Sequence, residues 1–159
     1  MKIIGIMAVD PNGVIGINND LPWRYQSEFK HFCQVTDKQV IVMGRKTFET
    51  VPQSILKNRT PIVFSRNKCF NRGPKCTVVS SMQEFLSIQS SSQVFVIGGA
   101  QIAHLFLEHN LISEFIMTEI HKPYKGDTYL NLAFFDRWNK TILVRTEDYT
   151  IFNCIRSAE

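Results

Sequence analysis

At 159 residues, with 44% hydrophobic and 20% charged side chains, the chain has the size and composition of one globular domain, expected to span residues 1–159, with a real core. Its 18 Lys and Arg against 14 Asp and Glu leave a formal charge of +4, which mildly favours anionic partners without choosing among phosphorylated cofactor, polycarboxylate and nucleic acid. No run resembles the Lys/Arg stripe of a dedicated nucleic-acid binder, and the 12 Phe read as core, so no dedicated nucleic-acid partner is expected.

The N-terminus enters directly into Ile3-Ile4-Gly5-Ile6-Met7-Ala8-Val9, which Lys2 makes look like a signal core. Asp10-Pro11-Asn12-Gly13 ends the run too soon for a membrane span, so it reads as a buried strand over 2–9 and a turn, in a cytoplasmic protein with no membrane partner. Asn18-Asn19-Asp20-Leu21-Pro22-Trp23 follows as a turn-rich loop carrying a large ring whose N–H needs a partner. Taken alone, Trp23 most simply staples that loop to the core. A helical pattern then covers 24–35, and within it Glu28 falls among Tyr25, Phe29, Phe32 and Cys33, in a slot the period reserves for an apolar residue. An acid pressed against aromatic rings loses hydration, its pKa rises, and such acids often bind or protonate something. A helix rotated so that Glu28 reaches water is the alternative, and this segment alone leaves both open.

Short β-rich runs at 39–43, 61–65, 76–79 and 93–97 alternate with helical patterns at 45–51, 81–88 and 100–108, the rhythm of βαβ units. Ser81-Met82-Gln83-Glu84 has the form of a capping box, and Ser90-Ser91-Ser92 reads as a loop. After residue 110 the pattern changes: 115–120, 140–144 and 149–152 read as strands, with Thr146-Glu147-Asp148 a hairpin turn. The sum is an α/β fold, a predominantly parallel mixed sheet of about eight strands with an antiparallel C-terminal edge, flanked by about four helices. Cys33, Cys69, Cys76 and Cys154 form no Cys-x-x-Cys pair and are expected as free thiols. His104 and His109 stand five apart, off the spacing of two helical zinc ligands, so no metal is expected.

Two strand-to-helix junctions invite an anion, because ligands collect at the carboxyl ends of strands where helix starts offer unpaired N–H groups. In Val42-Met43-Gly44-Arg45-Lys46-Thr47, glycine permits close approach while two cations and a hydroxyl suit a diphosphate; a tight turn with solvated basic residues is the plainer reading. In Val96-Ile97-Gly98-Gly99-Ala100-Gln101, the glycine pair lets a nucleotide lie against the backbone, a weak signal by itself. Neither junction is the common dinucleotide or triphosphate motif.

Taken in order, Gly13-Val14-Ile15-Gly16, Leu21-Pro22-Trp23, the acid at 28, Val42 to Glu49, Ser65-Arg66, Val96 to Ala100 and Gly126-Asp127-Thr128 resemble dihydrofolate reductases along nearly the entire chain. The resemblance implies an enzyme that passes a hydride from NADPH to C6 of the pterin of 7,8-dihydrofolate while N5 gains a proton. On it, Glu28 matches the acid that hydrogen-bonds the pterin, Thr118 the threonine that supports the acid, and Trp23 the ring that orders water beside it. Ile6, Ala8, Phe32, Val51 and Ile97 match the wall of the pterin and nicotinamide pocket, and Arg59 the arginine that grips the tail carboxylate. Gly44, Arg45, Lys46 and Thr47 match the diphosphate site, Ser65 and Arg66 the receivers of the 2′-phosphate, and Gly98-Gly99 an element with a cis peptide. Ala8, Ile15 and Gln101 are assigned to the cofactor as well. The stretch from Asp10 to Trp23 matches a mobile loop, which a second loop at Gly126-Asp127 steadies. Antifolate-type small molecules and a monomeric state are further expectations.

The chain departs from that pattern at Ala103, where tyrosine is usual and whose lost ring is expected to leave space beside the nicotinamide. Phe48 stands for a common tryptophan, and Gln101 for a frequently basic residue, which shifts more of the NADPH preference to Arg66. A riboflavin-pathway reductase on the same fold is disfavoured by Trp23 with an acid five residues later. A noncatalytic or RNA-binding derivative would have no need of both the acid and the cofactor junction.

Overall fold

The computed structural model describes residues 1–67, 76–88 and 92–158, so Cys69, Ser90 and Ser91 lie outside the described residues. β1 (Lys2–Val9) is buried on both faces: Ile3 and Val9 enter one core cluster, Ile4 and Ile6 another. At Gly5 a side chain has no room, since a Cβ would fall on the Phe115 ring. Along the chain follow β2 (Val14–Gly16), α1 (Gln26–Thr36), β3 (Val40–Gly44), α2 (Arg45–Thr50), α3 (Gln53–Leu56), β4 (Thr60–Phe64) and β5 (Thr77–Val79). Then come α4 (Met82–Leu86), β6 (Gln93–Gly98), α5 (Ala100–Glu108), β7 (Glu114–Ile120), β8 (Thr128–Tyr129), a 3-10 turn at Leu132–Phe135, β9 (Asn139–Arg145) and β10 (Tyr149–Ile155).

Eight strands form one sheet in the order β5-β4-β3-β6-β1-β7-β10-β9. All neighbours from β5 to β7 pair in parallel, and β10 runs antiparallel to both β7 and β9, as the sequence leads one to expect. Residues of α4, α5 and the 3-10 turn enter the core on one face, where Phe85 and Phe106 meet edge-on at 5.1 Å and Phe115 and Phe135 at 4.8 Å. On the other face, Phe32 and Val35 of α1, Phe48 of α2 and Leu56 of α3 close over Ile4, Ile6, Ile41 and Met43. Because the parallel strands share one direction, the ends of β1, β3, β4 and β6 deliver Asp10, Gly44, Ser65 and Gly98 to the same edge.

Some boundaries differ from expectation for local reasons. β10 continues to Ile155 because Asn153 and Cys154, polar or small, still pair with β7 and β9. The four-residue α3 after Pro52 is a fifth α-helix, too short to show a period. β2 and β8 pair with each other in a separate ribbon inside the two segments expected to be loops. At α4, Ser81 Oγ accepts from Glu84 N at 3.1 Å, as a cap should. The return bond falls one residue early: Glu84 Oε2 accepts from Ser80 N, at 2.9 Å, and not from Ser81 N. Every residue of the edge strand β9 is exposed, and a bulge interrupts its pairing opposite Ile151 and Phe152.

Candidate active site

Helix α1 turns inward along Glu28, Phe32, Val35 and Thr36, a stripe at helical spacing. Phe29 is not on it. Its ring is 43% exposed, which corrects the expected face of Tyr25, Phe29, Phe32 and Cys33; the helix is rotated by about one residue from that frame. The rotation carries Glu28 inward. Burial alone pushes its carboxyl up to about 7, and no described residue gives it a hydrogen bond or a salt bridge. Thr118 is buried on β7 as the Cα partner of Ala8, and its side chain shares no hydrogen bond with Glu28. One residue before the acid, the Ser27 and Tyr149 hydroxyls meet at 2.6 Å and fasten the first turn to β10.

A carboxyl near 7 in the fold against an ordinary value of 4.5 makes ionised Glu28 destabilising. The handicap is absent below about pH 4.5, grows as pH rises and is complete above about 7, where it reaches on the order of 3 kcal/mol. Glu28→Gln is therefore expected to melt higher than the parent at pH 8 and at the same temperature at pH 4. Thermal unfolding of the ligand-free proteins at both pH values checks this, and equal melting at pH 8 would refute the burial cost.

Trp23 is 3% exposed and packs with Val14, Ile120, Tyr149 and Ile151, so it does staple its loop to the core. Its Nε1, however, is buried without a partner among the described residues, which marks a donor available to something other than protein. The segment that carries it is tied at two points. Asp10, fully buried, accepts from the backbone N–H groups of Asn12 and Val14, both at 2.8 Å, and of Tyr124 at 2.9 Å. Further along, Asp127 Oδ2 accepts from Asn18 N at 3.0 Å, and its own N–H donates to Gly16 O at 3.0 Å. The Asn18 bond, with help from the Thr128 hydroxyl, holds the Asp127 carboxyl below its ordinary value.

Arg59 is fixed by what lies around the end of α1. Its Nε donates to Thr36 Oγ1 at 3.1 Å, Nη1 to Lys57 O at 3.1 Å and Nη2 to Cys33 O at 2.8 Å. Three of five N–H donors are thus engaged, leaving one on each terminal nitrogen, the fork that a carboxylate accepts. Thr36 is itself locked by donating to Phe32 O at 2.8 Å.

The two glycine junctions abut. A Cβ on Gly99 would lie 3.4 Å from Thr47 Oγ1, and one on Gly44 would lie 3.1 Å from Ile102 Cγ1, so the starts of α2 and α5 face each other across β3 and β6. Neither start has a side-chain cap, and the Gly98–Gly99 peptide is cis with φ +131° at Gly98. Lys46, Arg66 and Gln101 are exposed around this edge. Arg45 is also exposed but donates from Nε to Glu49 Oε1 at 2.7 Å. Ser65 Oγ donates to Asn67 O at 2.8 Å, which shapes the turn that presents Arg66.

The structure gathers Ile6, Phe32, Val51 and Ile97 in one cluster, with Ala8 beside Trp23 in the next. Ile15 falls apart from them, in the core cluster of the opposite face. A shallow depression lined by Arg24, Tyr25, Gln26, Ser27, Lys30 and Asp148 includes none of these residues, nor Glu28.

A family model described as dihydrofolate reductase matches residues 2–150. The chain belongs to the dihydrofolate reductase family. The dihydrofolate reductase of Staphylococcus haemolyticus is 33% identical over 141 residues, covering 88% of this chain and 82% of the relative. That of Bacillus subtilis is 37% identical over 125 residues, covering 78% and 72%. A solved structure of the Enterococcus faecalis dihydrofolate reductase, complexed with NADP(H) and RAB-propyl, superposes with a TM-score of 0.82 at 26% identity, covering 99% of this chain and 97% of that one. This member of the dihydrofolate reductase family is an oxidoreductase. At two of its departures from the family pattern the side chain is core: Ala103 is fully buried among the α5 core residues, and Phe48 is a buried member of the α2 core. Sequence reasoning missed the Asp10 clamp, although an acid at the end of a buried strand, before Pro-Asn-Gly, was a signal for it.

Proposed function

We propose that the chain reduces 7,8-dihydrofolate to 5,6,7,8-tetrahydrofolate with NADPH. The observation that carries this reading is Glu28, a half-buried acid with no partner among the described residues, on the same helix as Phe32, which packs in one apolar cluster with Ile6, Val51 and Ile97. A pterin ring offers that acid what the protein withholds: an amino group and a ring N–H that donate to a carboxylate side by side. Glu28 holds the pterin, and its raised pKa favours protonation at N5 through water, which the unpartnered Nε1 of Trp23 helps to order. Thr118 supports the acid as the family resemblance assigns, and Arg59 grips the tail carboxylate with its two remaining donors.

NADPH, when bound, supplies the hydride. The residues at the paired junctions fit it: Gly44 and Gly99 bring uncapped helix starts to one edge, Lys46, Thr47 and Arg45 would hold the diphosphate, and Ser65 and Arg66 would receive the 2′-phosphate. Ala8, Gly98 and Gln101 flank the same edge. Ile15, set in the other core cluster, acts by fixing the loop that closes over the nicotinamide. The Asp127–Asn18 bond holds that loop against the 121–127 segment, and antifolate-type molecules that mimic a pterin occupy the same cleft. The protein works as a monomer in the cytoplasm on this reading.

The test follows NADPH absorbance with purified protein, with and without dihydrofolate, beside NADH and a pteridine that lacks the glutamate tail. Dihydrofolate-dependent oxidation that prefers NADPH is the expected result. No dihydrofolate-dependent oxidation would end the assignment.

A further inference from the structure

Tyr124 lies between β7 and β8, outside every motif that led to the reaction, yet it touches three parts of the site. Its N–H donates to the buried Asp10 carboxylate at 2.9 Å. Its ring packs on Trp23 with centroids 5.4 Å apart and planes tilted by 59°, and its hydroxyl meets that of Tyr25 at 2.7 Å. Tyr25 is the residue from which α1 starts: its carbonyl accepts from Phe29 N at 3.1 Å, and Glu28 sits in the same first turn. Trp23 Nε1 has no hydrogen bond among the described residues, so the tilt of the indole is fixed by packing, and Tyr124 is a ring against it. The main chain of Tyr124 is held in turn by an acid whose other oxygen is engaged by Asn12 and Val14, which leaves it little freedom to move. Lys122 Nζ lies 5.5 Å from the centroid of the Tyr124 ring and adds a second neighbour.

We propose that Tyr124 is a positioning residue for the reduction: anchored at its main chain by Asp10, it sets Trp23 and the first turn of α1, and through them Glu28, in place for the substrate. This rests on the assignment of Glu28 as the pterin-binding acid. Tyr124 acts through Trp23 and Tyr25, without touching substrate or cofactor. Its hydroxyl bond pushes the Tyr25 phenol up to about 12.

The experiment uses the full chain with Trp138→Phe, which leaves Trp23 as the sole tryptophan emitter of the two. In that background Tyr124→Leu is expected to alter Trp23 emission in the ligand-free protein. It should also raise the dihydrofolate KM about tenfold, the scale of a small misplacement of a positioned group, while the NADPH KM stays within about twofold. Tyr124→Phe keeps the ring and should restore the emission and most of the KM. A merely structural role would lower the melting temperature and leave both KM values alone. Should Tyr124→Leu fail to fold, Tyr124→Phe, Tyr25→Phe and their double variant decide: each single raises the dihydrofolate KM about twofold, and the double no further.

An active parent whose Glu28→Ala variant loses turnover, with Tyr124→Leu at parental KM or parental emission, overturns the role of Tyr124 alone. In the fallback series, singles at parental KM or a fully additive double do the same. A parent with no dihydrofolate-dependent turnover rejects the assigned reaction, and this proposal with it.

Discussion

Glu28→Ala is expected to lower the hydride-transfer rate on dihydrofolate by about a hundredfold to ten-thousandfold, the range a positioned acid contributes. The size of the effect follows from isolation: no described residue pairs with the carboxylate, so nothing nearby takes over its contacts to the pterin. Folding should survive the change, because removing a buried unpaired acid relieves a desolvation cost at neutral pH. Proton delivery to N5 also gives the parent a pH dependence. The single-turnover rate should fall as pH rises through the apparent value of the substrate complex, which lies below the ligand-free value near 7 because the pterin donors favour the carboxylate. Glu28→Gln, which cannot titrate, should lose that inflection. Stopped-flow measurements from about pH 4 to pH 9 are the check. Equal rates for parent and Glu28→Ala would remove the acid from the mechanism.

Arg59→Ala should raise the dihydrofolate KM by about two orders of magnitude, since truncating one partner of a hydrogen-bonded charge pair costs about 2–5 kcal/mol. The same substitution should leave a pteridine without the glutamate tail unaffected. Arg59→Lys should recover little, because a lysine presents one point charge and cannot reproduce a fork already pinned by Thr36, Lys57 and Cys33. Steady-state KM values for the two substrates separate this specific loss from general damage. A parallel rise for both substrates would show that Arg59 supports the fold and does not read the tail.

Much of the architecture was legible because it rests on local apolar patterning. Unbroken runs such as Ile3 to Val9 and Val94 to Ile97 announce strands covered on both faces, and those strands carry the site glycines to one edge. The orientation of α1 was harder to read. Phe29 and Phe32 are equally apolar, and only the packed structure shows that Phe32 turns inward while Phe29 remains 43% exposed. Arg59 was identifiable by resemblance, but its holders were not, because two of the three are main-chain carbonyls, which carry no signature in sequence. The clamp at Asp10 was hidden for the same reason: its partners are backbone N–H groups, one of them far along the chain at Tyr124. β2 and β8 were too short to signal themselves, and only their mutual pairing makes them strands.

The position of β6 between β1 and β3 has a consequence for how a nascent chain acquires this shape. Emerging from the ribosome, the first ninety-odd residues hold β1 and the β3-β4-β5 group, but not the strand that joins them. The two groups have no common edge until residues 93–98 arrive, and β1 waits longer still for β7. Closure of the sheet is therefore a late, long-range event. Any truncation upstream of β6 leaves two apolar borders open to capture by chaperones or by other copies of the unfinished polypeptide.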